Sequence, residues 1–203
     1  MRLSRKLGRN LGRKPISSAA RAALAMLLSL AVTGCALMHR RPEAWALPAV
    51  GTGPAPVRWV QSLTLAHQGK SMDLMAVIES DGKTFTLVGL SPMGQRLVRI
   101  TWTDGKVDQE SDANIPVPID GEAILRDVVF VNWPEAALQT VFAGSHWKAG
   151  FQGANRTLSW KGRPWLSVRP DGAAGAEGKP GVVVDHLVEG YQVHVKTVEE
   201  DAP

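Results

Sequence analysis

The chain of 203 residues carries 23 Lys and Arg, 19 Asp and Glu, one Cys, 13 Pro and 20 Gly. At 44% hydrophobic and 21% charged it has globular composition, which excludes overall disorder, a collagen-like fibre and a multi-span membrane protein. A single Cys excludes a disulfide framework and any Cys-cluster metal site.

The sequence pI of about 9.5 points to nucleic acid, but the basic excess is local. Arg2, Arg5, Lys6, Arg9, Arg13, Lys14 and Arg21 all precede residue 35, with no acid among them. Without these seven, 16 basic residues face 19 acidic ones, a net charge of −3. Nucleic acid therefore drops out as an expected partner.

An apolar run from Ala22 to Val32 follows, broken only by Ser29. Its eleven residues would make a helix of about 16 Å, too short for a hydrocarbon core of about 30 Å. Basic region, short apolar region and small residues describe a secretory signal. Its end, Val32-Thr33-Gly34-Cys35, resembles the lipobox of bacterial lipoproteins. That resemblance implies cleavage before Cys35, a diacylglyceryl group on its thiol and acylation of the new amino terminus. Several acyl chains anchor stably where one is marginal. Ala36, in the place where enteric lipoproteins retained at the inner membrane carry Asp, implies the periplasmic face of the outer membrane. Expected domains are thus a signal peptide (1–34), a lipidated flexible linker (35–56) rich in Pro and Gly, and a folded domain (57–203).

From Val57 the pattern is β. Val57, Trp59, Leu63 and Leu65 alternate with polar residues, and Met72–Ser80 is apolar on both faces. Ser80-Asp81-Gly82-Lys83 predicts a hairpin turn into Thr84–Leu90. Ser91-Pro92-Met93-Gly94 turns the chain into Gln95–Thr103, and Asp104-Gly105 turns it into Lys106–Glu110. Strands linked this tightly are antiparallel neighbours.

The period then changes. Asp120 is a good N-cap for a helix with Ile124, Leu125, Val128 and Val131 on one side. Pro134 suits the first turn of a second helix carrying Leu138, Val141 and Phe142 and ending at Gly144. Strand patterns return at Arg156–Trp160 and Pro164–Arg169. Residues 170–181 read as a mobile loop, and Val182–Val188 with Tyr191–Val198 as a closing hairpin. The expected fold class is mainly β (α+β): a curved antiparallel sheet, or incomplete barrel, with helices over its concave face.

The stretch Phe85–Trp102, F-T-L-V-G-L-S-P-M-G-Q-R-L-V-R-I-T-W, resembles the strand–loop–strand of the LolB family. These are outer-membrane lipoproteins of the LolA/LolB superfamily. The order of elements after it agrees. The stretch also resembles a broader set of bacterial lipoproteins of unknown function, some encoded beside aryl-polyene synthesis genes. The resemblance implies an incomplete barrel with an apolar cavity for acyl chains. It also implies a membrane-insertion loop at Pro92, Met93 and Gly94, and a LolA-like periplasmic carrier or a lipoprotein or lipid cargo as partner. A tight turn with Met93 folded back on the domain is the alternative. By strand alternation the candidate cavity residues are Leu63, Leu65, Leu74, Ile78, Phe85, Leu87, Val98, Ile100 and Trp102, with Phe142 from the lid.

No catalytic constellation emerges, and no cofactor is expected beyond the lipid on Cys35. Ser91 lacks the Gly-x-Ser-x-Gly elbow of a hydrolase. His186 and His194 can face each other across the last hairpin, yet two His without a third ligand do not make a zinc site. The function expected is that of a non-enzymatic lipoprotein that binds an acyl chain and receives or transfers lipoprotein or lipid at the outer membrane. The alternative is an accessory lipoprotein docking on an envelope export complex. Cys35→Ala is expected to abolish acylation and cleavage, leaving a longer form whose mass and loss of outer-membrane fractionation report the change.

Overall fold

The computed structural model describes residues 42–103, 105–112, 119–174 and 180–201. The expected signal peptide, Cys35 and the start of the expected linker lie outside the described residues. The domain described below is the unit Ala44–Pro203. Its ten strands are β1 (Val57–His67), β2 (Lys70–Ser80), β3 (Thr84–Leu90), β4 (Arg96–Thr103), β5 (Lys106–Ser111), β6 (Trp147–Gln152), β7 (Asn155–Trp160), β8 (Arg163–Ala174), β9 (Pro180–His186) and β10 (Tyr191–Asp201). Helices α1 (Gly121–Asn132) and α2 (Glu135–Phe142) stand between β5 and β6.

All ten strands form one antiparallel sheet in the order β5-β4-β3-β2-β1-β10-β9-β8-β7-β6. Two five-strand meanders are thus joined where the first strand pairs with the last, with Leu63 opposite Val195 and Leu65 opposite Val193. The sheet is curved and unclosed, an incomplete barrel whose edge strands β5 and β6 are consecutive in the chain. The mainly-β expectation therefore holds.

Each helix begins where its sequence allows. Asp120 Oδ1 accepts from the Ala123 N–H at 3.1 Å, satisfying one of the free donors of α1. Pro134 caps α2, and Gly144, with φ of +71°, takes the left-handed conformation that ends it. The buried face of α1 is Gly121, Leu125, Val129 and Phe130. The expected Ile124, Val128 and Val131 sit beside that face, partly buried.

Two sheet side chains tie α1 down at its ends. From β5, Gln109 Oε1 accepts the Gly121 N–H at 2.7 Å, and its Nε2 donates to Ile119 O at 2.9 Å. From β7, Arg156 Nη1 donates to Phe130 O at 2.8 Å and Trp133 O at 2.7 Å. A cation here satisfies last-turn carbonyls and complements the helix dipole. Burial holds the Arg156 pKa below its usual value, with Glu135 acting the other way.

The core lies between helices and sheet. Trp133, fully enclosed, stands 5.7 Å from both Phe85 and Trp102, while Phe130 and Phe142 pack at 6.4 Å. Part of the expected linker joins this core. Trp45 is buried edge-on to Phe142 at 5.1 Å, its carbonyl accepts from Arg126 Nε at 2.9 Å, and Val50 is buried as well. Thr52 Oγ1 accepts from Trp133 Nε1 at 3.2 Å. A Cβ on Gly53 would lie 2.3 Å from the Trp133 ring, so only glycine lets the chain pass. The flexible-linker reading is corrected for 45–53: Pro and Gly content suggested mobility, but one indole ring buries enough apolar area to order the segment.

Two further expectations change. Trp147–Gln152, read as no element, is edge strand β6; Trp147, Ala149 and Phe151 alternate, but Gly150 and Lys148 weaken the β signal. Residues 170–174 and 180–181, read as loop, extend β8 and β9, with Pro170 opposite Val182 and Ala174 opposite Pro180. Backbone pairing there overrides the Pro and Gly composition.

Arg156→Met should lower unfolding free energy by about 2 kcal/mol, the scale of charged hydrogen bonds. Trp133→Ala should cost about 4 kcal/mol, the scale of a large aromatic truncation in a core. Urea unfolding followed by circular dichroism measures both.

Candidate functional site

The concave face is continuous across the sheet, but its covering is not. Of the ten residues expected to wall an acyl cavity, Ile78, Phe85, Leu87, Val98, Ile100, Trp102 and Phe142 are buried in the core cluster with Leu125, Val129 and Trp133. Helix α1 sits directly on them, so they fill the interior; the cavity-wall reading is corrected for these seven. Alternation identifies a common face correctly but cannot report how closely a helix lies on it.

Leu63, Leu65 and Leu74 behave differently. They lie on the same face, with Leu63 opposite Leu74 and Leu65 opposite Met72, yet they are only half-buried and stand outside the core cluster of the described residues. Val193 and Val195, paired with Leu65 and Leu63, continue the apolar floor toward β9. Met72 is exposed at 52%. These side chains form a half-open apolar strip on β1, β2 and β10.

At the β3–β4 turn, the Ser91 N–H donates to Gln95 O and the Gly94 N–H to Ser91 O, each at 2.9 Å. Ser91 Oγ also accepts from the Gln95 N–H at 3.2 Å. This bonded turn holds Met93 at 91% exposure, so the folded-back alternative does not describe it.

Between the β1–β2 and β9–β10 turns opens a surface cleft of about 620 Å³, lined in part by His67, Lys70, His186, Leu187, Tyr191 and Gln192. His67 Nδ1 lies 3.1 Å from Gly190 O, to which it donates, joining the two turns. Buried His186 stacks on Tyr191 with ring centroids 4.0 Å apart. Its Nε2 lies 3.0 Å from Asp127 Oδ2 of α1, and its Nδ1 lies 3.6 Å from Glu189. His186 thus pins the middle of α1 to the sheet. Burial pushes the Asp127 carboxyl above its ordinary value, with His186 pulling the other way. Burial, with Asp127 and Glu189 nearby, also raises the Tyr191 phenol, which stays protonated.

His194 does not meet His186. The register sets His186 opposite Tyr191 and His194 opposite Val183, and His194 Nδ1 lies 3.3 Å from Asp171. A three-residue offset along an antiparallel pair sets the rings apart and on opposite faces, a detail set by turn length. No group of three or more His, Cys, Asp or Glu suited to a metal occurs among the described residues. The Asp127–His186 contact was not apparent in the sequence, since 58 residues separate the two.

The geometry defines a class: an open antiparallel half-barrel with a helix-filled interior, an apolar strip beside the helices and an exposed apolar hairpin tip. The chain belongs to the DUF3261 family, described as proteins of unknown function, whose family model matches residues 58–199. It is also similar to a solved structure, that of a DUF1329 family protein from Desulfovibrio piger ATCC 29098. That likeness has 9% identity and a TM-score of 0.36 over 72% of this chain and 85% of the other. No curated protein sequence matches it.

Because the folded Asp127 binds its proton more tightly than the unfolded one, its contribution to stability is greatest below about pH 3.8 and is lost as pH rises through the raised pKa. Asp127→Asn should therefore flatten that part of the pH–stability profile, measured by urea unfolding between acid and neutral pH.

Proposed function

We propose that this protein is a non-enzymatic lipoprotein, anchored through acylated Cys35 at the periplasmic face of the outer membrane. In this LolB-like reading it binds an acyl chain or similar apolar ligand and passes lipoprotein or lipid, received from a soluble carrier, to the membrane. The observation that carries the reading is Met93, 91% exposed on a turn held by its own backbone bonds. An exposed unbranched thioether on a loop tip loses little by entering an apolar phase and gains by leaving water.

The strip of Leu63, Leu65, Leu74 and Met72 supplies a floor for one acyl chain. This ligand would lie beside the helices and not beneath them, because the interior under α1 is filled. Leu63 and Leu74 stand opposite each other, so a chain laid across them would cover both. Removing such apolar area from water contributes about 25 cal/mol per Å².

A second reading, an accessory lipoprotein docking on an envelope export complex, draws on that same filled interior. It needs no ligand strip, and crosslinking in cells would recover a protein partner.

A fluorescent fatty acid should bind the mature protein saturably, and Leu63→Asp should weaken that binding at least several-fold. Met93→Glu should leave binding intact while abolishing release to liposomes. Absence of saturable binding would leave the accessory reading in place; unchanged transfer by the Met93 variant would remove the insertion role.

A further inference from the structure

Strands that alternate in direction divide their turns between two ends of the sheet. One end carries the turns β1–β2, β3–β4, β7–β8 and β9–β10. Among the described residues five large apolar side chains are exposed, and Met72, Met93, Leu187 and Val188 belong to this end. The fifth, Val198, lies toward the other end of β10.

Leu187 and Val188 are 52% and 37% exposed on the β9–β10 turn. The turn is held in place, since the Leu187 N–H donates to Trp165 O at 3.0 Å and the Gly190 N–H to His186 O at 2.8 Å. Polar turn formers would satisfy this backbone equally well, so two consecutive exposed aliphatic residues call for a contact outside the domain.

The charges of the same end are arranged asymmetrically. Lys70, Lys161 and Arg163 are exposed, with no ion-pair partner among the described residues; Lys161 lies 4.7 Å over the Trp160 ring. Of the carboxylates at this end, Glu110 pairs with Arg96 at 3.6 Å and Asp185 with Arg169 at 3.3 Å, Glu189 lies 3.6 Å from His186, and Asp73 accepts from the Thr64 hydroxyl at 2.8 Å. Unpaired cations beside apolar tips match an anionic lipid surface.

The course of the chain agrees. Trp45 packs on Phe142, the last residue of α2, which leads into β6 beside the β7–β8 turn. Trp45 thus stands toward this end, while residues 47–51 run beside Gly82 and Gly105 in the turns of the opposite end. The ten residues from Cys35 to Trp45 can span at most about 35 Å. That is about the length of one eleven-residue strand, so this end lies within the anchor's reach of a bilayer.

We propose that this end is a membrane-facing rim, in which the Leu187–Val188 turn is a second apolar tip beside Met93 and Lys70, Lys161 and Arg163 meet anionic headgroups. The proposal rests on the lipid-anchored reading above and names the surface toward which that anchor holds the domain.

Acylated Cys35 carries no free thiol, so an introduced cysteine gives a single labelling site on the mature lipoprotein. A polarity-sensitive fluorophore would be placed at Val188→Cys, Met93→Cys and, at the opposite end, Val198→Cys. Each protein would be read in vesicles of phosphatidylethanolamine with phosphatidylglycerol. Blue-shifted emission and quenching by acyl-chain spin labels are expected at 188 and 93 and not at 198. Lys70→Gln combined with Lys161→Gln should abolish the preference for these vesicles over neutral phosphatidylcholine ones. A label at 188 that stays in water while 93 is quenched overturns the rim and spares the insertion role of Met93. Shielding at 188 only on adding an envelope extract also overturns it, assigning the turn to a protein partner. If Cys35 proves unacylated, the same labels are read on the Cys35→Ala background added to preformed vesicles. The rim then stands or falls separately from the anchor. Unchanged circular dichroism and melting temperature verify that each variant is folded.

Discussion

The rest of the structure depends on how helix α1 is fastened across an open sheet. The two edge strands, β5 and β6, are neighbours in sequence but occupy opposite ends of the strand order. The segment joining them must therefore span the concave face. Gln109 of β5 holds the first turn of α1 and Arg156 of β7 holds its last carbonyls, while His186 of β9 meets Asp127 between them. These contacts let a single helix brace both meanders without closing the barrel.

That bracing sets what the interior can hold. A helix drawn down at both ends brings Leu125, Val129, Phe130 and Trp133 onto Phe85, Ile100 and Trp102, leaving close-packed aromatic rings where a looser helix would leave space. The stabilising effect has a cost, since the Trp102 indole N–H is buried without a hydrogen-bond partner among the described residues. Apolar surface available to a ligand is displaced to the strands α1 does not cover, where Leu63, Leu65 and Leu74 stay half-buried. The same geometry gathers the exposed apolar turns at one end, so that strip and rim adjoin through Met72, beside the β1–β2 turn.

Much of the fold was legible in sequence because it rests on local rules. Period-two alternation marks β1 to β5, and Asp81-Gly82 and Pro92-Met93-Gly94 place turns where the structure has them. Asp120 and Pro134 begin the two helices as their side-chain chemistry requires. The candidate site was legible only as a list of residues on one face. Seven of its ten members are core, because burial is decided by what crosses the face and no pattern within a strand encodes that. Trp45 illustrates the same point from a stretch whose Pro and Gly suggested a tether: its ring is held by Phe142, nearly a hundred residues away.

The sequence by itself determined most element types, the hairpins of the first meander, the basic N-terminal segment with its lipobox-like Cys35, and the turn that carries Met93, but not the exposure of Met93. These follow from backbone preferences and local periodicity, which act over a few residues. Tertiary structure alone decided that β1 pairs with β10, that 45–53 belongs to the core, that the interior is filled, and that Met93, Leu187 and Val188 share one end. Each of these depends on contacts between segments far apart in the chain. Their energies come from shared burial and register, which no local pattern carries.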